Sequence, residues 1–549
     1  MAEQESKAGQ ELVIGLVGAI GTDLSRVEIA LQRAFKAVNY TTQSIKLIDK
    51  LPAPAPKELA RVDQRYARKM DAGNEFRKLL QRKDALALLG VAAIRNARYQ
   101  AHQPLDKNNM DRPIERCAYI LHSLKTPDEI KTLRRVYGNN FLVVAAYAPR
   151  SKRVDVLAEK FKSYGSTREQ HRADAERLVE RDGKEHGESF GQNVQAAFWL
   201  ADVFVDASKV DPGKPAQENE SIDKDVLRFV KLLFGHPFET PTRDEHGMFQ
   251  AYGSGLRSAS AGRQVGAAIT RTDGDVVSTG TNEVAKPDGG QYWSDDGEDN
   301  RDHRRSGDSN EDMARNIIVD FLVRLQLEGW FNESKKGMPL HELQSAAEDF
   351  RMEDGEKRGV MYPFRREIAE SHGLSSLAEN ARVKRVIEYI RAVHAEMAAL
   401  MSAARRGVAV DGCTLYSTAF PCHECAKHIV MAGIRRVVFI EPYPKSRAAD
   451  LYDDSIDIDA TCEDGNHHKR VPFVPFVGIA PRMYMDLFSA PERKDEKTGK
   501  WIEWEQIRQT QTPRLGGDIN TYVEQEEEAA TMLEGLIKAN RKLKEVIAG

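Results

Sequence analysis

Two short segments carry residue types that could do hydrolytic chemistry together: His394-Ala395-Glu396 and, further along, Pro421-Cys422-His423-Glu424-Cys425. Alone, each is ambiguous. An HxE triplet in a charged, helical stretch usually forms a solvated face, and a CxxC can be redox-active, structural or half of a metal site. Together they offer one imidazole and two thiolates. These fill three positions of a tetrahedral zinc ion and leave the fourth for water, which is what separates a catalytic zinc from a closed structural one. Glu396 is then free to move protons. A structural zinc closed by Cys413, His423 or His428 is the plainer alternative, and it leaves the glutamate without a purpose.

The same residues constrain the elements that hold them. Pro421 suits the first position of a helix, so Cys422 and Cys425 should project from one face of its first turn, where the helix dipole favours thiolates. Residues two apart lie about 200° apart on a continuous helix, so His394 and Glu396 must straddle a helix start to reach one site. Around them, VGAAITRTDGDVVSTGTN (265–282) reads as strand, Asp-Gly turn, strand. CTLYST (413–418) and RRVVFIEP (435–442) read as strands on either side of the cysteine helix, and 313–400 reads as largely helical. The polar stretch 286–312 reads as a mobile surface loop. The tail from 524 reads as a terminal helix for packing or oligomerisation.

The N-terminal half begins with LVIGLVG (12–18), glycines, and a helix in which Val27, Ala30, Leu31, Ala34 and Val38 recur at helical spacing. Apolar runs at 117–123, 141–148 and 201–208 alternate with helix-compatible segments, which predicts a mainly parallel sheet covered on both faces. The fold class expected is α/β: a P-loop-like parallel-sheet domain over 1–235, a cytidine deaminase-like α/β/α domain over 245–490, and a helical tail over 491–549. A Pro-, Gly- and charge-rich stretch between 209 and 245 is the expected connection. Gly15, Gly18, Gly21, Thr22 and Asp23 stand where a phosphate-binding loop would stand, and they are the candidate nucleotide-binding residues. The loop resembles that of nucleotide and nucleoside kinases. Gly21 occupies the place of their phosphate-gripping lysine, so nucleotide binding is expected and phosphoryl transfer is not.

H-x-E followed by P-C-x-x-C is the zinc deaminase signature. With SASAGRQVGAAI ahead of it, a hairpin ending in STGTN, then VHAE and TLYSTAFPCHEC, the stretch 250–490 resembles the deoxycytidylate deaminase family. That resemblance implies zinc as cofactor, Glu396 as proton shuttle from water to a ring nitrogen and then to departing ammonia, and free deoxycytidine nucleotides as substrates. It also implies that Asn282 contacts the sugar and that the segment Thr414 to Thr418 lines the pocket, with Tyr416 as the substrate candidate. The long insertion between Asn282 and His394 departs from compact family members and bears on phosphate recognition. A P-loop-like domain ahead of such a deaminase resembles the bacterial antiphage dCTP/dCMP deaminases. There the implication is depletion of the dCTP pool under control of the N-terminal domain.

Composition supports small nucleotides over nucleic acid. With 80 basic and 84 acidic side chains in 549 residues the formal charge is −4, which provides no whole-protein field for a phosphate polymer. A deaminase that edits bases within DNA or RNA is one alternative, and a nucleotide-sensing regulatory protein is the other. Five scattered cysteines suggest a reducing cytoplasm rather than a disulfide framework, and nothing resembles a signal peptide or membrane span. A homo-oligomer is expected; its regulatory partner is not named by any motif. Cys462, His467, His468 and His303 are read as loop residues rather than a second metal site, and Cys117 as core.

Overall fold

The protein is described here by a computed structural model. It describes residues 11–51, 62–102, 112–161, 167–183, 185, 189–208, 220–305, 389–440, 446–458, 470–516 and 519–540, with scattered positions between 309 and 324. Most of the 313–388 stretch, and with it Cys462, His467 and His468 further on, therefore lies outside the described residues.

The N-terminal half is built on a sheet whose strands, in chain order, are β1 (Leu12–Gly18), β2 (Thr41–Lys46), β3 (Cys117–Leu124), β4 (Phe141–Tyr147) and β5 (Val203–Asp206). They lie parallel in the order β5-β4-β1-β3-β2. All seven residues of β1 are buried, as an unbroken apolar run at the centre of a sheet covered on both faces must be. The edge strand β2, TTQSIK, is the one the sequence did not reveal: only Ile45 is buried, so it lacks the apolar run that marks the others.

The second half folds around β6 (Gly266–Thr270), β7 (Val276–Thr281), β10 (Thr414–Ser417), β11 (Arg436–Phe439), β12 (Ile456–Asp457) and β13 (Val471–Pro475), in the order β12-β13-β11-β10-β6-β7. β6 and β7 form the expected hairpin, with Gly274 at φ +102° in its turn. A small ribbon pairs β8 (Glu283–Val284) with β9 (Ala392–Val393). Finally β14 (Gly478–Ile479) leaves this half and pairs antiparallel with β5, closing the edge of the N-terminal sheet. The chain is thus mixed α/β with parallel-dominated sheets. One hydrophobic core runs through both halves, from Val143 and Phe204 to Ala251, Tyr416 and Val474.

The tail helix Ile519–Ala539 packs into the N-terminal half. Arg98, fully buried, is held between Glu11 at 2.7 Å and Glu526 of that helix at 2.8 Å. Removing the guanidinium strands two buried carboxylates, so Arg98→Leu is expected to cost about 3–5 kcal/mol. Urea unfolding of variant and wild type checks this; a loss under about 1 kcal/mol would mean the carboxylates find other partners or protonate at little cost.

Candidate active site

Histidine, glutamate and cysteines are positioned by two helix starts that meet on one face of β10. His394 is the N-cap of helix Ala395–Arg405, with extended backbone at φ −63° and ψ 152°, while Glu396 lies in the first turn. This is the break in helical geometry that two residues of one site, spaced two apart, require. The cysteine helix runs His423–Met431, starting later than expected: Pro421 lies outside it and Cys422 is its N-cap. The Cys422 sulfur accepts a hydrogen bond from the Cys425 N–H at 3.4 Å, taking the role usual for a Ser or Asp oxygen and bringing both sulfurs to one end of the helix.

His394 Nδ1 lies 3.3 Å from Cys422 Sγ and 3.4 Å from Cys425 Sγ. The three ligand atoms all fall within 4.8 Å of one another. Bond lengths of about 2.3 Å to sulfur and 2.05 Å to nitrogen at a tetrahedral angle imply an N···S edge of roughly 3.6 Å, so the donor set fits a zinc ion. Among the described residues no further His, Cys, Asp or Glu joins the group. The alternatives for closing it are engaged elsewhere or apart: His428 Nδ1 meets the Glu424 carbonyl at 2.7 Å, and Cys413 is buried in the core beyond β10.

Glu396 is buried beside these ligands, its Oε2 3.5 Å from Cys425 Sγ and its Oε1 accepting from Ser417 Oγ at 3.3 Å. Burial pushes its carboxyl above the ordinary carboxylate range. The hydrogen bond shared with Cys422 raises the His394 imidazole, whereas the Cys422 thiol is lowered, first by its hydrogen bond with Cys425 and then by His394. The arrangement can hold a Lewis acid, and it keeps a desolvated carboxyl within reach of whatever occupies the open side.

β10 decides which other residues face this centre. Its side chains alternate, so Leu415 and Ser417 point towards the two helices, while Tyr416 points away. The Tyr416 hydroxyl donates to Asp244 at 2.8 Å, on the helix Arg243–Gly255 that covers the opposite face. The structure therefore turns Tyr416, the expected substrate residue, away from the His394, Cys422 and Cys425 group, and it is Ser417 of the same segment that lies beside Glu396. Asn282 is brought in: the register Glu283↔Val393 runs it level with His394. Its amide is fixed by donation to the Arg263 carbonyl and acceptance from the Val265 N–H, both at 2.8 Å. Gly280 had no expected role; a Cβ there would come within 2.2 Å of the Ala395 carbonyl, so the glycine allows β7 to lie directly against the start of the glutamate helix.

Residues 241–441 match the family model described as the cytidine and deoxycytidylate deaminase zinc-binding region. The C-terminal region thus carries a deaminase domain of this family. Deoxycytidylate deaminase of Enterobacteria phage T2 is 44% identical over 55 residues, 10% of this chain and 29% of that protein. The human deoxycytidylate deaminase is 33% identical over 110 residues, 20% of this chain and 56% of its own length. The chain therefore spans little more than half of the length of these curated relatives at most. A dCMP deaminase of the cyanophage S-TIM5, solved with dCMP and dUMP, is 15% identical, with 43% of this chain and 99% of that chain covered at a TM-score of 0.21.

Away from the deaminase domain, the loop of the N-terminal half is closed by protein groups. The Ile20 N–H donates to Asp182 Oδ2 at 2.6 Å, and Lys125 Nζ reaches Asp182 at 2.8 Å and the Gly18 carbonyl at 3.2 Å. A Cβ at Gly15 would meet Leu124 at 2.6 Å, one at Gly18 would meet Leu24 at 2.8 Å, and one at Gly21, where φ is +88°, would meet the Arg153 carbonyl at 2.7 Å. Close packing thus already accounts for all three glycines. Asp23 is the N-cap of helix Leu24–Ala37 without a side-chain cap bond, and it pairs with Arg26 at 3.3 Å. Thr22 Oγ1 is buried with no hydrogen-bond partner among the described residues. Lys125, contributed from beyond the end of β3, is a cation at the loop that no local motif reveals.

His303 lies 3.6 Å from Asp299, which Arg301 and Arg304 also engage, so the described part of the polar 286–312 stretch is laced by ion pairs. Among the described residues, no helix is long and apolar enough to cross a membrane.

Proposed function

We propose that this chain is a zinc-dependent hydrolase that deaminates free deoxycytidine nucleotides, dCMP or dCTP, to the deoxyuridine forms. The observation carrying this reading is the convergence of His394 Nδ1 and two cysteine sulfurs beside a buried glutamate that is not one of the three ligands. His394, Cys422 and Cys425 would hold a zinc ion, which when bound would supply the Lewis acidity that lowers the pKa of water towards neutral. Glu396 moves the protons. Its carboxylate takes one from the attacking water and gives it to N3 of the cytosine ring, then takes the second from the hydroxyl that the attack leaves on C4 and gives it to the amine, which departs as ammonia while C4 becomes the carbonyl. Ser417 holds Glu396 Oε1 in place for these transfers. Asn282, oriented by residues 263 and 265, retains hydrogen-bonding capacity for the sugar.

The N-terminal half is proposed to control this activity, and depletion of dCTP in antiphage defence is the role consistent with such control. The support is the resemblance of the domain pairing together with the covalent and packed union of the halves through β14. A phosphate at the Gly15–Asp23 loop would have to displace the Asp182 carboxylate from Ile20. Incubating purified protein with dCMP, dCTP, CMP and cytidine while following the uracil product tests the reading. Absence of turnover of either deoxynucleotide by zinc-loaded protein would overturn it.

In the same assay Tyr416→Phe is expected to leave the KM for the deoxynucleotide within about twofold, because its hydroxyl faces Asp244. Stability should fall by about 1 kcal/mol for the lost hydrogen bond. A large rise in KM would restore Tyr416 to the substrate pocket.

A further inference from the structure

The first sheet reverses its strand order at β1, with β3 and β2 on one side and β4 and β5 on the other. Open parallel sheets take their ligands at such a point, in the crevice beyond the carboxyl ends of the strands. Here that crevice, past Gly18, holds a carboxylate of the chain itself. Asp182 is fully buried; its Oδ2 accepts from the Ile20 N–H at 2.6 Å and its Oδ1 meets Lys125 Nζ at 2.8 Å. A loop amide and a lysine ammonium are the two kinds of donor by which a glycine-rich loop grips a phosphate. Lys125 arrives from β3 and lies against the Gly18 carbonyl at 3.2 Å, so it brings to the loop the cation that Gly21 cannot supply.

Asp182 belongs to the helix Arg168–Gly183, which packs with the helices Arg150–Phe161 and Val62–Leu80. These three share a small hydrophobic core, including Met70, Leu157, Phe161 and Leu178, that is separate from the core of the sheet. Ile20 of the loop packs against its edge. A unit with its own core can swing as a body while the sheet stays intact. We propose that Asp182 is an internal anion standing in the phosphate place of the loop, and that the helical arm carrying it is a lid which a phosphate-bearing ligand must displace. Closure subtracts from affinity, because only the open fraction of the protein binds. The proposal rests on the reading of the Gly15–Asp23 loop as a phosphate site.

Inorganic tripolyphosphate, which has neither base nor sugar, probes the loop by calorimetric titration of the full chain. Asp182→Asn keeps the side-chain volume and loses the competing charge, so it is expected to bind the probe roughly tenfold or more tighter than wild type. Adding Lys125→Met to that variant should abolish the gain. Leu178→Ala, which loosens the arm from its own core and keeps Asp182, should tighten binding several-fold and stands in if Asp182→Asn disturbs folding. Amide exchange reads the lid directly: the probe should speed exchange along 168–183 of the wild type while β1 stays protected. Equal binding by wild type and both folded variants, a gain that survives Lys125→Met, or exchange in the arm that the probe leaves unchanged overturns the proposal and leaves the loop as an open phosphate site. Absence of binding by every variant overturns the proposal together with the reading of the loop.

Discussion

Replacing Glu396 by glutamine is expected to lower kcat by roughly 10²–10⁴-fold, the range over which a positioned general acid–base contributes, while zinc content stays near that of wild type. The amide keeps the volume of a fully buried side chain and can still accept from Ser417 Oγ, so the site should remain packed. What it cannot do is take a proton from water. Metal analysis and turnover on one preparation separate the roles: zinc loss would make Glu396 a ligand, and activity within about tenfold of wild type would remove it from the chemistry.

Cys422→Ala and Cys425→Ala should fail in the other order, losing zinc first and activity as a consequence. Each removes one of three donor atoms, and Cys422→Ala also removes the acceptor that caps the helix His423–Met431. Stabilisation by a bound metal is lost with it, about 4 kcal/mol if the ion stands at a thousand times its Kd. The cap adds about 1 kcal/mol more for Cys422. Thermal unfolding with and without a chelator checks both: the chelator should lower the wild-type midpoint and leave the variants unchanged. Stoichiometric zinc in both variants would refute the ligand assignment.

The signature residues were legible because their chemistry leaves few choices. One imidazole, two thiolates and a spare carboxylate have a small set of compatible purposes, and the H-x-E spacing itself demanded that a helix begin at His394, as it does. Apolar runs revealed β1, β3, β4 and β5 because strands buried on both faces cannot be polar. The start of the cysteine helix was misjudged since a proline can precede a cap as readily as open a helix, and only the Cys422–Cys425 hydrogen bond distinguishes the two.

Sequence by itself thus determined that His394, Cys422 and Cys425 would meet beside Glu396 and that strands would alternate with helices, both of which follow from residue type and local spacing. Tertiary structure alone decided which side of β10 each residue serves. A strand's alternation fixes that neighbours point apart, but not which face the His394, Cys422 and Cys425 group lies on, so Tyr416 and Ser417 could be told apart only once the helices had packed. Distance along the chain likewise conceals that Asp182 and Lys125 close the glycine loop, that Glu526 reaches Arg98, and that β14 extends the first sheet. Such contacts join segments from 57 to 428 residues apart through burial and charge pairing, and no local spacing encodes them.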